Sequence, residues 1–367
     1  MATYNAQGNK IVELYYNCRE YGVKPDNADN TSAMQALIDL VYANGGGVIW
    51  VPIGTYVFDS EASAWNLNSK MTILCNAKKG VSIIGESLDR SVFKVIGNTA
   101  NGTTMFGQHS ETAGEVLTGC TYSNFSVDMS KASLTNYTHR GKAFYFSGVK
   151  DCVFRDLRLI GTPSTSLGVD MLDNVVMDSI YVYQGGRQWV ENGPGGSGIG
   201  IGTGKWANEN YVIRNCVCDS CGHYGIFLED QGIFGNPAVQ NYSKGQIIAN
   251  NVVRNGRYYG IGVRGGKNIV VTGNNLYENV GGIYFDYGAK NVMVSNNIVQ
   301  GSTEAGLLFG NDDATTSEHL TETIACDSII VTGNGFFENA VGIKKETAPT
   351  NSQIANNVFV GNTTDEA

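Results

Sequence analysis

The segment VTGNNLYENVGGIYF (residues 271–285) contains the unit that decides the fold of this chain. It joins a β-branched run, a pair of asparagines and a glycine-led apolar run. Four more segments repeat its first half: IIANNVV (247–253), VSNNIV (294–299), VTGNGFF (331–337) and IANNVF (354–359). Their leading asparagines are spaced by 24, 22, 38 and 22 residues, which is a period near 22 with one insertion. Short strand-like runs at this period predict a solenoid with about three strands in each coil.

The asparagines predict how the coils stack. Asn250, Asn274, Asn296 and Asn356 are expected at one turn, where their side-chain amides bond from coil to coil. An asparagine row exposed for sugar binding is the alternative. Because the strands of successive coils then lie side by side, we expect an all-β fold, a single-stranded right-handed parallel β-helix.

The composition excludes several classes of protein. Of the 367 residues, 16% are charged and 42% hydrophobic, so neither a disordered chain nor a coiled coil is expected. The net charge of −9 argues against a nucleic-acid partner. No apolar run approaches the ~20 residues of a membrane span. The opening residues 1–10 lack the layout of a signal peptide, so none is expected in this chain. The eight cysteines are expected to be buried thiols, because most lie in strand-like runs.

The N-terminal end differs from the repeats. Residues 30–42 have apolar side chains at helical spacing, and Ser32 and Gln35 have the spacing of a capping box. The apolar face of this predicted helix contains Met34, Leu37, Ile38 and Val41. A helix ahead of a solenoid is expected to cap its open apolar end.

The segment REYGVKPDNADNTSAMQALIDLVYANGGGVIWVPIGTYVF (19–58) resembles the opening of the pectate-lyase-like (pectin lyase-like) superfamily. Its members commonly begin with an acidic-glycine turn, a helix of the AIQAAID type and strands of the GGGTVYFPPGTY type. The resemblance implies a right-handed parallel β-helix with a short N-terminal capping helix. The superfamily includes polysaccharide lyases, hydrolases, epimerases and phage tailspike depolymerases, so function has to be argued from the site.

The predicted organisation has three parts: an N-terminal extension at 1–18, a cap at 19–60 and β-helix coils over 61–367. Loop insertions are expected near 183–198, 231–245 and 311–327. Open strand edges at the last coil favour self-association. Together with the similarity to tailspikes, this leads us to expect a homotrimer in an extracellular or virion-associated protein.

Side chains alternate along a strand, so the residue after the glycine of each glycine-led run is expected to point inward and the next one outward, into a groove. The expected inward residues are Ile226, Ile261, Ile283, Leu307 and Ile343. Glu229, Arg264 and Asp286 follow these runs in three successive coils. With coils ~4.8 Å apart, Glu229 and Asp286 would be separated by about 9–10 Å. That separation is near the upper end of the ~6.5–9.5 Å typical of inverting glycoside hydrolysis. Glu229 and Asp286 are therefore the predicted acid and base, with Arg264 keeping one of them ionised. A salt-bridge ladder between coils is the alternative.

Further residues are predicted to line this groove. His223 and Tyr224 precede the run that carries Glu229 and are candidate catalytic residues, with a structural or turn role as the alternative for His223. Asp312 and Asp313 open the long insertion and are alternative carboxylates, unless they only form a turn. The predicted sugar-binding residues are Phe227, Tyr258, Tyr259, Tyr284, Lys205 and Trp206.

No metal or other cofactor is predicted. Cys216, Cys218, Cys221 and His223 are potential metal ligands. However, Cys216 and Cys218 share one face of a strand, whereas zinc ligands usually come as pairs from two separated segments.

Residues 223–230 also resemble the region where alginate epimerases carry YGFDPHE. Tyr224 and Gly225 match, but the aspartate and histidine positions hold Phe227 and Glu229. The acid expected one coil later is Arg264. These departures argue against epimerase chemistry.

The favoured function is therefore the cleavage of a polysaccharide in this groove by an inverting glycoside hydrolase. A polysaccharide lyase is the first alternative, in which Arg264 or Lys205 neutralises a uronate carboxylate and Tyr224 takes the C5 proton. A non-catalytic glycan-binding adhesin or phage tail receptor-binding protein is the second.

Overall fold

The computed structural model describes residues 15–61, 72–76, 78–99, 103–108, 116–138, 140–191, 193, 195–203, 209–230, 245–310 and 325–367. Within these residues the regular structure is almost entirely β-strand, and every pairing between strands is parallel. The chain winds through three columns of strands, one strand in each column per coil. One α-helix, Thr31–Ala43, and one 3-10 helix, Cys18–Tyr21, lie near the start.

The first column contains Tyr15–Asn17, Gly47–Val51, Val81–Gly85, Asn210–Arg214, Gly245–Ala249, Lys267–Thr272, Lys290–Ser295, Asp327–Thr332 and Gln353–Ala355. The second contains Gly54–Asp59, Ser91–Thr99, Val217–Asp219, Val252–Arg254, Asn275–Tyr277, Ile298–Gln300, Gly335–Phe337 and Val358–Val360. The third contains Thr72–Asn76, Thr103–Gln108, Ile199–Thr203, Ile226–Asp230, Tyr259–Arg264, Gly281–Asp286, Ala305–Phe309, Val341–Lys345 and Thr364–Glu366. The long strands Thr121–Leu134, Phe144–Ile160 and Leu167–Tyr183 bend from one column to another, and Leu117–Thr118 pairs with Phe144–Ile160.

The core runs along the inside of the coils. Ile226, Ile261, Ile283 and Leu307 pair directly above one another in the third column. All four are completely buried. The inward positions predicted from the glycine-led runs are thereby confirmed.

A buried asparagine ladder joins the first column to the second. Its rungs are Asn251, Asn274, Asn297, Asn334 and Asn357. Both the backbone N–H and the Nδ2 of Asn274 donate to Oδ1 of Asn297, each over 2.9 Å. Asn274 is a rung as predicted, but the prediction is wrong by one residue for Asn250, Asn296 and Asn356. These three adopt left-handed φ angles of 56°, 55° and 58° at the turn, so the asparagine that follows each of them supplies the rung.

The N-terminal helix packs with its predicted face inward. Met34, Leu37, Ile38 and Val41 are all buried. The predicted capping box is wrong, because the helix begins at Thr31 with Asn30 as its N-cap, so Ser32 lies inside the helix. The strand Tyr15–Asn17 already pairs with Gly47–Val51 ahead of this helix. No helix among the described residues is long and apolar enough to cross a membrane.

Candidate functional site

Three rows of side chains cross the outer face of the third column. Within each row, residues of successive coils lie above one another. The corner row, two positions before the first inward residue of each coil, contains Lys142, Thr165, Ser197, Tyr224 and Tyr259. The middle row contains Tyr145, Gly168, Gly200, Phe227, Gly262, Tyr284 and Leu308. The edge row contains Ser147, Asp170, Gly202, Glu229, Arg264 and Asp286.

Glycines of the middle row give space to corner-row side chains from the preceding coil. A Cβ added at Gly262 would lie 2.4 Å from the Tyr224 ring. A Cβ added at Gly168 would lie 3.0 Å from Lys142 Nζ. The Lys142 side chain therefore extends from the corner across the strand towards the edge row.

A cavity of about 170 Å³ lies beside Lys142. Its apolar walls include Tyr145 and Phe227, which stand three coil spacings, about 14 Å, apart in the middle row. The other lining residues are Lys142, Thr165, Gly168, Asp170, Gly195, Gly200, Ile201, Gly202 and Glu229. The cavity thus combines ring faces with one amine and two carboxylates.

Lys142 is a buried cation in this cavity. Its side-chain nitrogen lies 3.9 Å from the centroid of the Tyr145 ring, within the range of a cation–π contact. Burial lowers the pKa of Lys142 to about 8, and the negative charges of Asp170 and Glu229 offset only part of that effect. Near neutral pH, both protonation states of this amine are accessible.

Glu229 lies between two cations. The strand register pairs Glu229 with Arg264 and Arg264 with Asp286. Arg264 Nη1 is 3.9 Å from Glu229 Oε1, and the side chains of Arg264 and Glu229 are 24% and 33% exposed. The guanidinium also packs over the ring of Tyr287, at 4.1 Å from its centroid, and donates to the Tyr287 hydroxyl. Arg264 is therefore held in place on the side of Glu229 away from Lys142.

Asp286 occupies an outward place in the edge row but is buried. The residue is 3% exposed. Its Oδ2 accepts from the Tyr284 hydroxyl at 2.9 Å and its Oδ1 from the Tyr287 backbone N–H at 2.7 Å. Both oxygens are thus engaged within the strand, which differs from the outward carboxylate expected of an acid or base.

The tyrosines form an apolar cluster on the outside of the third column. Tyr224, Tyr259 and Tyr284 are 2%, 1% and 5% exposed, so their ring faces are covered by one another and by neighbours. This burial differs from the expectation of open faces for sugar rings. Phe227 and Tyr258 are half-buried at the margin of the cluster, with Phe227 stacked on Tyr224 at 4.5 Å. Of these aromatic residues, Phe227 lines the cavity.

His223 fixes one wall of the cavity. Its ring stacks on Trp189 at 4.3 Å, and its Nδ1 lies 3.1 Å from the carbonyl oxygen of Gly195. Because that carbonyl is an acceptor, Nδ1 carries the hydrogen. Burial lowers the pKa of His223 to about 3, so the ring is neutral above that pH. His223 thereby holds the cavity-lining Gly195 to the sheet.

Several site residues lie beyond what the sequence alone identified. Lys142 and Tyr145 enter the site because the repeat continues upstream, where AFYF (143–146) occupies the place of GIFL (225–228). Asp170 lies in the edge row, where strand alternation in the sequence places it. That alignment is the signal that places Lys142 in the corner row. The predicted residues Lys205, Trp206, Asp312 and Asp313 lie outside the described residues.

The cysteines are structural. The seven whose side chains are described are free and buried, as predicted. Burial raises the pKa of Cys216 to about 12, which keeps its thiol protonated. Among the described residues, no group of three or more His, Cys, Asp or Glu side chains could hold a metal ion.

Comparison of the sequence with known proteins gives a family match and a relative. Residues 231–366 match the family described as "Periplasmic copper-binding protein (NosD)". Mannuronan C5-epimerase AlgE3 of Azotobacter vinelandii is 26% identical over 270 residues, which is 73% of this chain and 12% of the relative. This chain therefore spans about an eighth of the length of that relative.

Among solved structures, the A-module of mannuronan C-5 epimerase AlgE4 from Azotobacter vinelandii matches with a TM-score of 0.64 and 16% identity. The match covers 96% of this chain and 97% of that one. A hyperthermoactive exopolygalacturonase from Thermotoga maritima matches with a TM-score of 0.64 and 11% identity, over 96% of this chain and 93% of that one. These likenesses confirm the predicted fold, a right-handed parallel β-helix.

Proposed function

We propose that the protein binds a polysaccharide in the cavity between Tyr145 and Phe227 and hydrolyses its glycosidic bonds there. A concave site with ring faces and a few convergent polar groups is what binding of a small unit such as a sugar requires. The named relatives, a mannuronan epimerase and an exopolygalacturonase, support a carbohydrate as the substrate class.

Glu229 and Asp170 are the proposed base and acid, and their relative position is the observation that carries the proposal. They occupy the same edge row two coils apart, with Gly202 between them. Two coil spacings are about 9–10 Å, near the upper end of the ~6.5–9.5 Å of inverting hydrolysis. Gly202 carries no side chain, so a water and a glycosidic oxygen have room between the carboxylates. Asp170 takes the place expected for Asp286, whose oxygens are engaged elsewhere.

Charge distinguishes the two carboxylates. Arg264 lies 3.9 Å from Glu229 and favours its ionised form, as a base that activates water requires. Asp170 lies three coils from Arg264 but beside Lys142. It is the proposed acid that protonates the leaving oxygen, in the state in which the Lys142 amine is neutral and does not favour a carboxylate charge beside it.

A lyase is the second candidate, and the state of Lys142 favours it. Because burial lowers the pKa of Lys142 to about 8, a fraction of its amine is neutral near that pH and can accept a proton from carbon. Arg264 would then neutralise the carboxylate of a uronic acid in the same cavity.

Incubation with neutral glycans, mannuronan and polygalacturonate separates these candidates. New reducing ends without ultraviolet absorbance support hydrolysis. Reducing ends with the absorbance of an unsaturated product support the lyase instead. If a binding assay detects a glycan that yields neither product, the protein is a binder and both catalytic proposals fail.

A further inference from the structure

The amine of Lys142 has an environment unlike that of the surface lysines. Lys290, Lys344 and Lys345 each form an ion pair with a carboxylate, at 2.8, 2.6 and 3.0 Å. Within the described part of the chain, the Lys142 amine forms neither a hydrogen bond nor an ion pair, and its close contact is the face of the Tyr145 ring. The lone pair of the neutral amine is therefore not engaged by a donor of the protein.

Two glycines leave open space beside this amine. Gly168 lies next to the Lys142 side chain in the middle row, where an added Cβ would be 3.0 Å from Nζ and 3.5 Å from Cε. Gly200 takes the same place in the next coil, and both glycines line the cavity of about 170 Å³. The amine thus borders a volume that a small molecule can enter.

Burial makes this amine a nucleophile near neutral pH. Because the pKa of Lys142 is about 8 and not 10.5, its neutral fraction near pH 7 is about 300-fold larger than that of an ordinary lysine. A desolvated lysine of this kind reacts with carbonyl compounds to form an imine. The ring faces of Tyr145 and Phe227 in the same cavity suit a sugar, and the carbonyl form of a sugar is its open-chain aldehyde.

We propose that Lys142 captures the reducing end of a sugar as an imine, by reaction with the open-chain aldehyde inside the cavity. The Lys142 nitrogen adds to the aldehyde carbon, and one proton moves from this nitrogen to the former carbonyl oxygen. The acid form of Asp170 then gives a second proton to that oxygen. The C–O bond breaks and water leaves, so that a protonated imine and the Asp170 carboxylate remain. No oxidant or reductant takes part.

The cavity also stabilises the product. A protonated imine is a cation, so the Tyr145 ring and the negative charges of Asp170 and Glu229 act on it as they act on the ammonium group. Addition of water reverses the reaction, and the sugar is therefore held reversibly. This inference does not rest on the proposed hydrolysis, because imine formation needs no glycosidic bond.

Reductive trapping on the whole chain tests the proposal. Glyceraldehyde, a three-carbon sugar, is added with sodium cyanoborohydride near neutral pH. Hydride transfer converts an imine into a stable secondary amine, and mass spectrometry of peptides assigns that amine to a lysine. Lys142 is expected to react at least about tenfold faster than Lys290 and Lys344, which is a small part of its advantage in neutral fraction. Equal rates at the three lysines would overturn the proposal.

Two controls show whether the cavity is responsible. Unfolding in guanidinium chloride should abolish the preference for Lys142, because the preference depends on burial; a preference that persists in the unfolded chain would also overturn the proposal. Lys142→Met should lose the fast modification with unchanged circular dichroism. Lys344→Met, which removes an exposed amine, should retain it. Fast modification of another lysine in Lys142→Met would refute the assignment to this amine.

Discussion

Tyr284 donates its hydroxyl hydrogen to Oδ2 of Asp286 over 2.9 Å, from two residues earlier on the same strand. The bond joins two side chains of the same outer face. Oδ1 accepts from the Tyr287 backbone N–H at the turn that follows. Asp286 thus stabilises the tyrosine cluster and the strand end, while Glu229, in the same row, stays partly exposed.

Asp286→Asn is therefore expected to lower the free energy of unfolding by about 1–3 kcal/mol. The Asn side chain has one acceptor oxygen, whereas the carboxylate accepts from both the Tyr284 hydroxyl and the Tyr287 backbone N–H. Urea unfolding measures the loss. Tyr284→Phe should also destabilise, because it leaves Oδ2 without its donor. An Asp286→Asn variant that unfolds like the wild type but has lost turnover would return Asp286 to the catalytic pair.

Glu229→Gln and Asp170→Asn are each expected to reduce hydrolysis by about 10²–10⁴-fold, the range of general acid–base catalysis. The melting temperature should change little, because the Glu229 side chain is 33% exposed and its ion pair with Arg264 is loose. Initial rates on a confirmed substrate give the measurement. The matched control is Glu346→Gln, an exposed carboxylate beyond the third column that pairs with Lys344. Equal losses in the control would show that the effect is not specific to the cavity.

The charge of Lys142 should make stability depend on pH. Its pKa is about 8 in the folded protein, against an ordinary value of 10.5. Between these values the unfolded chain binds more protons, so the free energy of unfolding should rise from about pH 8 to about 10.5, by about 3 kcal/mol. Chemical unfolding at several pH values measures the slope, and Lys142→Met should lack it. Parallel curves for the two proteins would contradict the burial of a charged amine.

Adjacent asparagines should respond differently to substitution. Asn297→Ala removes the acceptor for two donors of Asn274 and the donor to the Val271 carbonyl, so a loss of about 3 kcal/mol is expected. Asn296→Gly should be close to neutral, because Asn296 occupies a left-handed turn that Gly273 and Gly333 occupy in neighbouring coils. Denaturant midpoints of the two variants provide the comparison. Equal losses would contradict the assignment of the rung to Asn297.

The periodic part of the fold follows from the sequence. Ile226, Ile261 and Ile283 point inward as predicted, because strand alternation depends only on position. The sequence holds the information that would have avoided the one-residue error in the ladder. Gly273 and Gly333 align with Asn250, and a glycine at that position indicates a turn with positive φ. The rung is the asparagine after that turn.

The site could be predicted less well, because a position on the outer face does not determine exposure. Tyr259 and Asp286 have outward places in their rows and are nevertheless buried, as side chains of adjoining coils cover them. Lys142 was not identified from the sequence for a different reason. It belongs to a coil where the repeat is weak in sequence, and its cavity arises only when four coils are stacked.

The ladder has a consequence for the lengths of the loops. The amide of Asn297 reaches Asn334, 37 residues later, over 2.9 Å, and that of Asn274 reaches Asn297, 23 residues later, over the same distance. Rung geometry is thus independent of how much chain leaves the solenoid between two rungs. The number of residues between two rungs can therefore differ by 14 without a change in the bond that joins them. The length of chain between two coils and the stability of the stack can therefore vary independently in this architecture.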